Sequence, residues 1–146
     1  MNFLILNRSM AEIYSYEEPH IYISITDPES RFPVLKDNPN RLKTLWIKFD
    51  DVDDKINTVN GKRLPKLFGI GHAEIILNFV EKFKNDVGTI ITQCDGGISR
   101  SSATAGALSV IYNGSKSDNW IFKSRQYYPN MLVYRTLLDT YFNNYT

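Results

Sequence analysis

Residues 20–26 alternate strictly, with Ile21, Ile23 and Ile25 apolar and Tyr22 and Ser24 between them, the period of a strand. Apolar runs at 3–6 and 45–49 predict two more short strands. Residues 87–92, Val-Gly-Thr-Ile-Ile-Thr, are β-branched and apolar, as a buried parallel strand would be. Elsewhere the spacing changes to that of a helix. Ala73, Ile76, Leu77, Val80 and Phe83 form one stripe and predict a helix over 70–84. Ala- and Leu-rich residues 101–112 predict a second. Two more are expected at 118–126 and 131–142, the last with Asn130 as its N-cap and Pro129 blocking the one before. A helical turn over 9–15 would take Ser9 as its cap. Residues 27–41, with three prolines, and 51–68, with Gly61 and Pro65, are connections. Strands and helices thus alternate without repeat or linker. The order predicts a single α/β domain over 1–146, its central, mainly parallel sheet flanked by helices.

Composition narrows the picture. With 42% hydrophobic and 13% aromatic residues, a chain of 146 can bury one real core. A net charge of +1 gives no general pull toward nucleic acid or a membrane surface. The one cysteine, Cys94, forbids an internal disulfide and points to a reducing, cytoplasmic compartment. One Cys and two His cannot build a zinc site. The acidic turn at 50–54 lacks the glycine and distal glutamate of a calcium loop. No metal or cofactor is expected. The N-terminal apolar run is too short for a signal peptide, and no stretch is long enough to span a bilayer.

The informative run is Cys94-Asp95-Gly96-Gly97-Ile98-Ser99-Arg100-Ser101. It lies where a predicted strand turns into a predicted helix, whose N-terminus offers unpaired N–H groups and the positive end of a dipole. A thiol with a reference pKa of about 8.5 is driven toward thiolate by such a terminus and a nearby cation. Gly96 and Gly97 let the loop curl so that successive N–H groups of residues 95–100 face one dianion. Arg100 would close the ring with a planar fork, and Ser101 would donate to the sulfur. The arrangement suits in-line attack of sulfur on phosphorus.

This run resembles the Cys-x5-Arg-Ser/Thr signature of the cysteine-dependent protein tyrosine phosphatases. The likeness extends over roughly residues 20–140 and is greatest to the compact dual-specificity type, and to short bacterial and phage members with a Phe-Asp-Asp stretch upstream and a Pro-Asn stretch downstream. One position departs from the pattern: the family usually has His before the nucleophile, and this chain has Gln93. The resemblance implies a dual-specificity-phosphatase-like fold with the phosphate loop between a strand and a helix. It implies hydrolysis of phosphomonoesters through a cysteinyl phosphate on Cys94. Asp95, Gly96, Gly97, Ile98, Ser99 and Arg100 would bind the phosphate, and Ser101 would stabilise the thiolate. The general acid, by its place just past the strand at 45–49, would be Asp51, with Asp50 second. The substrate implied is a protein phosphorylated on tyrosine or on serine/threonine, met by a monomer, with no nucleic-acid or membrane partner. Two alternatives stand beside it. One is a pseudophosphatase that binds phosphorylated partners without turnover. The other is a phosphatase of RNA 5′ ends or small metabolites. Phosphoinositide phosphatases of this superfamily tend to carry lysines in the loop, where this chain has none and has Asp95. His72 is expected as a surface or capping group, His20 as structural, the tyrosines at 127, 128, 134, 141 and 145 as packing residues, and Lys62, Arg63 and Lys66 as a solvated loop.

Overall fold

The alternating strand at 20–26 lies inside the sheet. In the computed structural model, which describes residues 1–52 and 64–145, this is β2 (His20–Thr26), and all seven of its residues are buried. β1 (Asn2–Leu6), β3 (Arg41–Lys48) and β4 (Thr89–Gln93) join it in the order β1-β4-β2-β3, every pairing parallel. Five helices complete the described elements: α1 (Arg8–Ile13), α2 (Ile70–Phe83), α3 (Arg100–Asn113), α4 (Asn119–Phe122) and α5 (Met131–Asn144). This is the small α/β domain that the pattern predicts.

Alternation on β2 divides the two faces of the sheet. Ile21, Ile23 and Ile25 join the larger core, with Ile76, Leu77 and Val80 of α2, Ala103, Ala107 and Leu108 of α3, and Val133 and Leu137 of α5. Burying each such Ile or Leu contributes about 2 kcal/mol relative to leaving it exposed. Tyr22 faces the other way, into a smaller cluster with Leu6, Ile91 and Ala11 of α1. α3 is buried along its first ten residues and is built of small side chains, so it fits close to its neighbours. Its hydroxyls turn back on the helix: Thr104 donates to the Arg100 carbonyl at 2.9 Å and Ser109 to that of Ala105 at 2.7 Å.

Several boundaries move. β3 starts at Arg41, four residues before the apolar run, because backbone pairing with β2 carries it through the polar residues of an edge strand. α1 is capped by Asn7 and not by Ser9: the Asn7 side chain accepts from the Met10 N–H at 2.8 Å. α4 is a single turn; Asp118 holds its N-cap position but spends its carboxylate on the Tyr134 hydroxyl at 2.6 Å. Asn130 caps α5 as expected, accepting from the Val133 N–H at 3.1 Å. Tyr134, Tyr141 and Tyr145 lie against the larger core, whereas Tyr128 is 73% exposed. Asp53, Asp54, Gly61, Lys62 and Arg63 lie outside the described residues. Among the described residues no helix is long and apolar enough to cross a membrane.

Candidate active site

In an all-parallel sheet the C-terminal strand ends meet at one edge, where open α/β proteins bind their ligands. Here that edge collects Asn7 and Arg8 after β1, Asp27 after β2, Phe49 to Asp51 after β3, and Cys94 after β4. The loop from Cys94 to Ser99 leads directly into α3, whose first residue is Arg100 and whose N-cap is Ser99.

Backbone contacts clamp this loop from two sides. On one side Gly97 takes φ +65°, and the backbone of Leu6 and Asn7 comes so close that any Cβ there would lie 2.8 Å from the Asn7 nitrogen. Next to it the Arg8 N–H donates to the Asp95 carbonyl at 3.1 Å. On the other side the N–H groups of Tyr128 and Asn130 donate to the carbonyls of Ile98 and Ser99, both at 3.1 Å. Of the two loop glycines, only Gly97 has a positive φ.

Cys94 is 3% exposed, and its Sγ lies 3.1 Å from Ser101 Oγ. Ser101 is itself fixed, since its carbonyl accepts from the Thr92 hydroxyl at 2.9 Å. Arg100 is 4% exposed. Its Nη1 donates to the Phe49 carbonyl at 2.7 Å and lies 2.8 Å from Asp27 Oδ1. Its Nη2 is 3.7 Å from Asp95 Oδ2, and its buried Nε has no partner among the described residues. Nη1 is therefore anchored, while on the other edge Nη2 meets only Asp95, beyond hydrogen-bond distance, and Nε keeps its donor unspent. A buried donor left without a partner costs about 1–3 kcal/mol, which a bound oxyanion would recover. Asp95 reaches between two cations, 3.4 Å from Arg8 Nη1 on its other side.

The two acid candidates separate. Asp50 is buried and tied to residue 66: its N–H donates to the Lys66 carbonyl at 2.9 Å, and its Oδ2 accepts from the Lys66 N–H at 2.7 Å. That makes Asp50 and the Lys66 backbone part of the frame. Asp51 is exposed, and its Oδ1 accepts from Ser99 Oγ at 2.8 Å and from Asn130 Nδ2 at 3.0 Å. Asp51 thus stands on the rim of the Cys94 loop. Gln93 is fully buried; its Oε1 accepts from Ser24 Oγ at 2.6 Å, and its Nε2 has no partner among the described residues. His72 serves as a cap: its Nδ1 accepts from the Gly69 N–H at 3.0 Å, its ring stacks on Phe68, and burial lowers its pKa below 6.5. His20, 2% exposed, donates through Nδ1 to the Glu18 carbonyl at 2.8 Å and is likewise lowered, mainly by burial.

The fold brings Cys94, Arg100, Ser101, Asp51 and the loop residues into one neighbourhood. Arg8, Asp27 and, beyond its role as a cap, Asn130 join them there without standing out in the sequence. The signal for the first two was the sheet itself, because residues just past parallel strands converge.

No family model and no curated protein matches the sequence. Solved structures do match the fold. The human tyrosine phosphatase-like serine/threonine/tyrosine-interacting protein superposes with a TM-score of 0.65 at 17% identity, over 94% of this chain and 89% of its own. Human DUSP28 gives 0.61 at 15% identity, over 94% and 90%. PTPMT1, solved in complex with PI(5)P, gives 0.56 at 13% identity, over 97% and 91%. The chain shares the fold of these tyrosine-phosphatase-like and dual-specificity-phosphatase structures.

Proposed function

We propose that this protein is a phosphomonoester hydrolase, a cysteine-dependent phosphatase of tyrosine or dual specificity acting on phosphorylated proteins. The observation that carries the reading is Arg100. It is buried at the mouth of the loop, is held through Nη1, and keeps Nε without a partner. Nε and Nη2 would bind two oxygens of a phosphoryl group, with loop N–H groups from Asp95 to Arg100 binding the rest. Cys94 thiolate attacks phosphorus, an S–P bond forms and the ester P–O bond breaks. Asp51 delivers its proton to the leaving oxygen. Water then attacks the cysteinyl phosphate while Asp51 takes its proton, and the S–P bond breaks to release phosphate and the thiolate. Ser101, 3.1 Å from the sulfur, stabilises the thiolate in both steps. These steps call on no cofactor. Asp95, lodged beside Arg100, opposes polyanionic headgroups of the kind PTPMT1 was solved with.

The test is hydrolysis of an aryl phosphate under reducing conditions, across pH 5 to 8. Cys94→Ser is expected to abolish turnover while keeping oxyanion binding. Asp51→Asn is expected to slow esters with poor leaving groups by about 10²–10⁴-fold. Turnover surviving in Cys94→Ser would refute the mechanism. A second reading, a binding module for phosphorylated partners, is favoured by Gln93 where the family's His usually stands. It takes over if the native chain binds oxyanions but hydrolyses nothing.

A further inference from the structure

Asp95 is the one acidic residue between Cys94 and Ser101, and its side chain stands between two guanidiniums. Its Oδ1 lies 3.4 Å from Arg8 Nη1 and its Oδ2 lies 3.7 Å from Arg100 Nη2. Both distances exceed the roughly 2.7–3.2 Å of a well-made N–H···O bond, so the carboxylate is shared and held tightly by neither cation. Asp27 behaves differently, anchoring Arg100 through Nη1 at 2.8 Å. Nη2 and the unpartnered Nε form the edge left for an oxyanion, and Asp95 is the acidic group paired with that edge among the described residues. Arg8 is placed to take the carboxylate instead. It opens α1 just past β1, and β4 runs between β1 and β2. Its Nη1 also lies 3.5 Å from Thr26 Oγ1 at the end of β2, so the guanidinium spans the end of β4 at the root of the loop. The Arg8 backbone is tied to the same residue, its N–H donating to the Asp95 carbonyl at 3.1 Å. The two side chains are 31% and 36% exposed, and a pair so open to water is weak. Moving the carboxylate from one cation toward the other therefore costs little.

From this geometry we propose that Asp95 competes with substrate phosphate for the Nη2 edge of Arg100, and that Arg8 is a positioning residue that holds the carboxylate aside once an oxyanion has entered. The proposal rests on the phosphatase reading of the loop and adds what limits its affinity. In the empty site the two cations, Arg8 and Arg100, are set against two carboxylates, Asp27 and Asp95. A like charge within about 4–6 Å disfavours an anion by on the order of tenfold. Asp95, 3.7 Å from the Nη2 that would hold the oxyanion, imposes that penalty. The penalty falls as the carboxylate leans toward Arg8. Released phosphate meets the same opposition, so the loop holds its product weakly.

The experiment measures tungstate and inorganic phosphate affinity by calorimetry, at fixed ionic strength, in proteins that all carry Cys94→Ser. Asp95→Asn keeps the shape of the side chain and removes its charge, and is expected to tighten binding about tenfold. Asp95→Ser, smaller and also uncharged, should act in the same sense. Arg8→Gln is expected to weaken binding by up to about fivefold, the worth of one exposed charge pair. Arg8→Lys, which keeps the charge, should retain most of the affinity. With Asp95→Asn already present, Arg8→Gln should change nothing, because the group that Arg8 positions no longer carries a charge. A gain of affinity is an outcome that loss of a purely structural brace would not give. With Cys94 intact, inhibition of aryl phosphate turnover by inorganic phosphate should strengthen in Asp95→Asn by the same factor. Binding no tighter in either Asp95 variant than in the parent, or an Arg8→Gln loss of equal size in both backgrounds, would overturn the proposal. Because affinity is read without turnover, a native chain that binds oxyanions but hydrolyses nothing would count against the phosphatase reading alone.

Discussion

Gly97→Ala tests how the phosphate loop is held. Gly97 sits at φ +65°, where a residue with a Cβ costs about 1–2 kcal/mol. The added Cβ would also lie 2.8 Å from the Asn7 nitrogen, 3.0 Å from the Leu6 carbonyl carbon and 3.1 Å from the Asn7 Cα. All three are backbone atoms at the junction of β1 and α1, so no side chain can swing aside. Overpacking of this kind costs about 1–3 kcal/mol. Together the terms give a loss of about 2–5 kcal/mol, which for a domain of this size lowers Tm by about 6–15 °C. Gly96 supplies the internal control. A Cβ there would touch only the Ile98 side chain, at 3.8 and 3.9 Å, and Gly96→Ala should cost under about 1 kcal/mol. The assay is urea and thermal unfolding of the parent and both variants, paired with vanadate binding. If Gly97→Ala relieves its clash by lifting the loop, the Arg8 N–H bond to the Asp95 carbonyl breaks, and oxyanion affinity should fall even where the fold survives. Equal stability of the two variants, or a Gly97→Ala protein within about 1 kcal/mol of the parent, would refute the reasoning.

Two further predictions concern charge. Arg100→Lys replaces a fork anchored on Phe49 and Asp27 by a single ammonium, and kcat/KM for an aryl phosphate should fall by about 10²–10³ or more; retention within tenfold would show that the fork geometry is not what binds. Burial holds His20 and His72 neutral below their ordinary value of 6.5, so on acidification the unfolded chain takes up protons that the folded chain refuses. Stability should be flat above that value and fall below it, by up to about 1.4 kcal/mol per pH unit for each proton withheld. Denaturant midpoints at about pH 7.5, 6.5 and 5.5 check this, and a midpoint that rises toward pH 5.5 would contradict it.

What could be seen in advance was whatever local pattern controls. β2 is read to the residue because its two faces differ: Ile21, Ile23 and Ile25 enter the larger core, while Tyr22 and Ser24 on the other face meet a smaller cluster and the Gln93 side chain. β3 is not, because it pairs on one side only and its first residues, Arg41, Leu42 and Lys43, obey the backbone ladder more than any hydropathy rule. The cap of α1 fails for a related reason. Asn7 and Ser9 are both good acceptors, and only the point where β1 ends decides which one meets a free N–H. The Cys94 loop is legible because eight consecutive residues, Cys94 to Ser101, carry the whole pattern. Asp27, Arg8 and Asn130 are not, since each is an isolated polar residue until the sheet and α5 bring it to the loop.

The same distinction bears on Gln93. Seen as sequence, it is a missing histidine. In the fold its Oε1 ties β4 to Ser24 of β2 inside the sheet, one residue before the sulfur, so the position still braces the strand end that presents Cys94. What Gln93 does not bring is a charge. In the proposed mechanism, stabilising the sulfur therefore falls to groups beyond it: Ser101 Oγ, 3.1 Å away, the N-terminus of α3, and Arg100. Arg100 in turn depends on Asp27 and the Phe49 carbonyl to keep its free edge turned to the loop. In this chain the chemistry of one strand end is held in place by the ends of the two strands beside it.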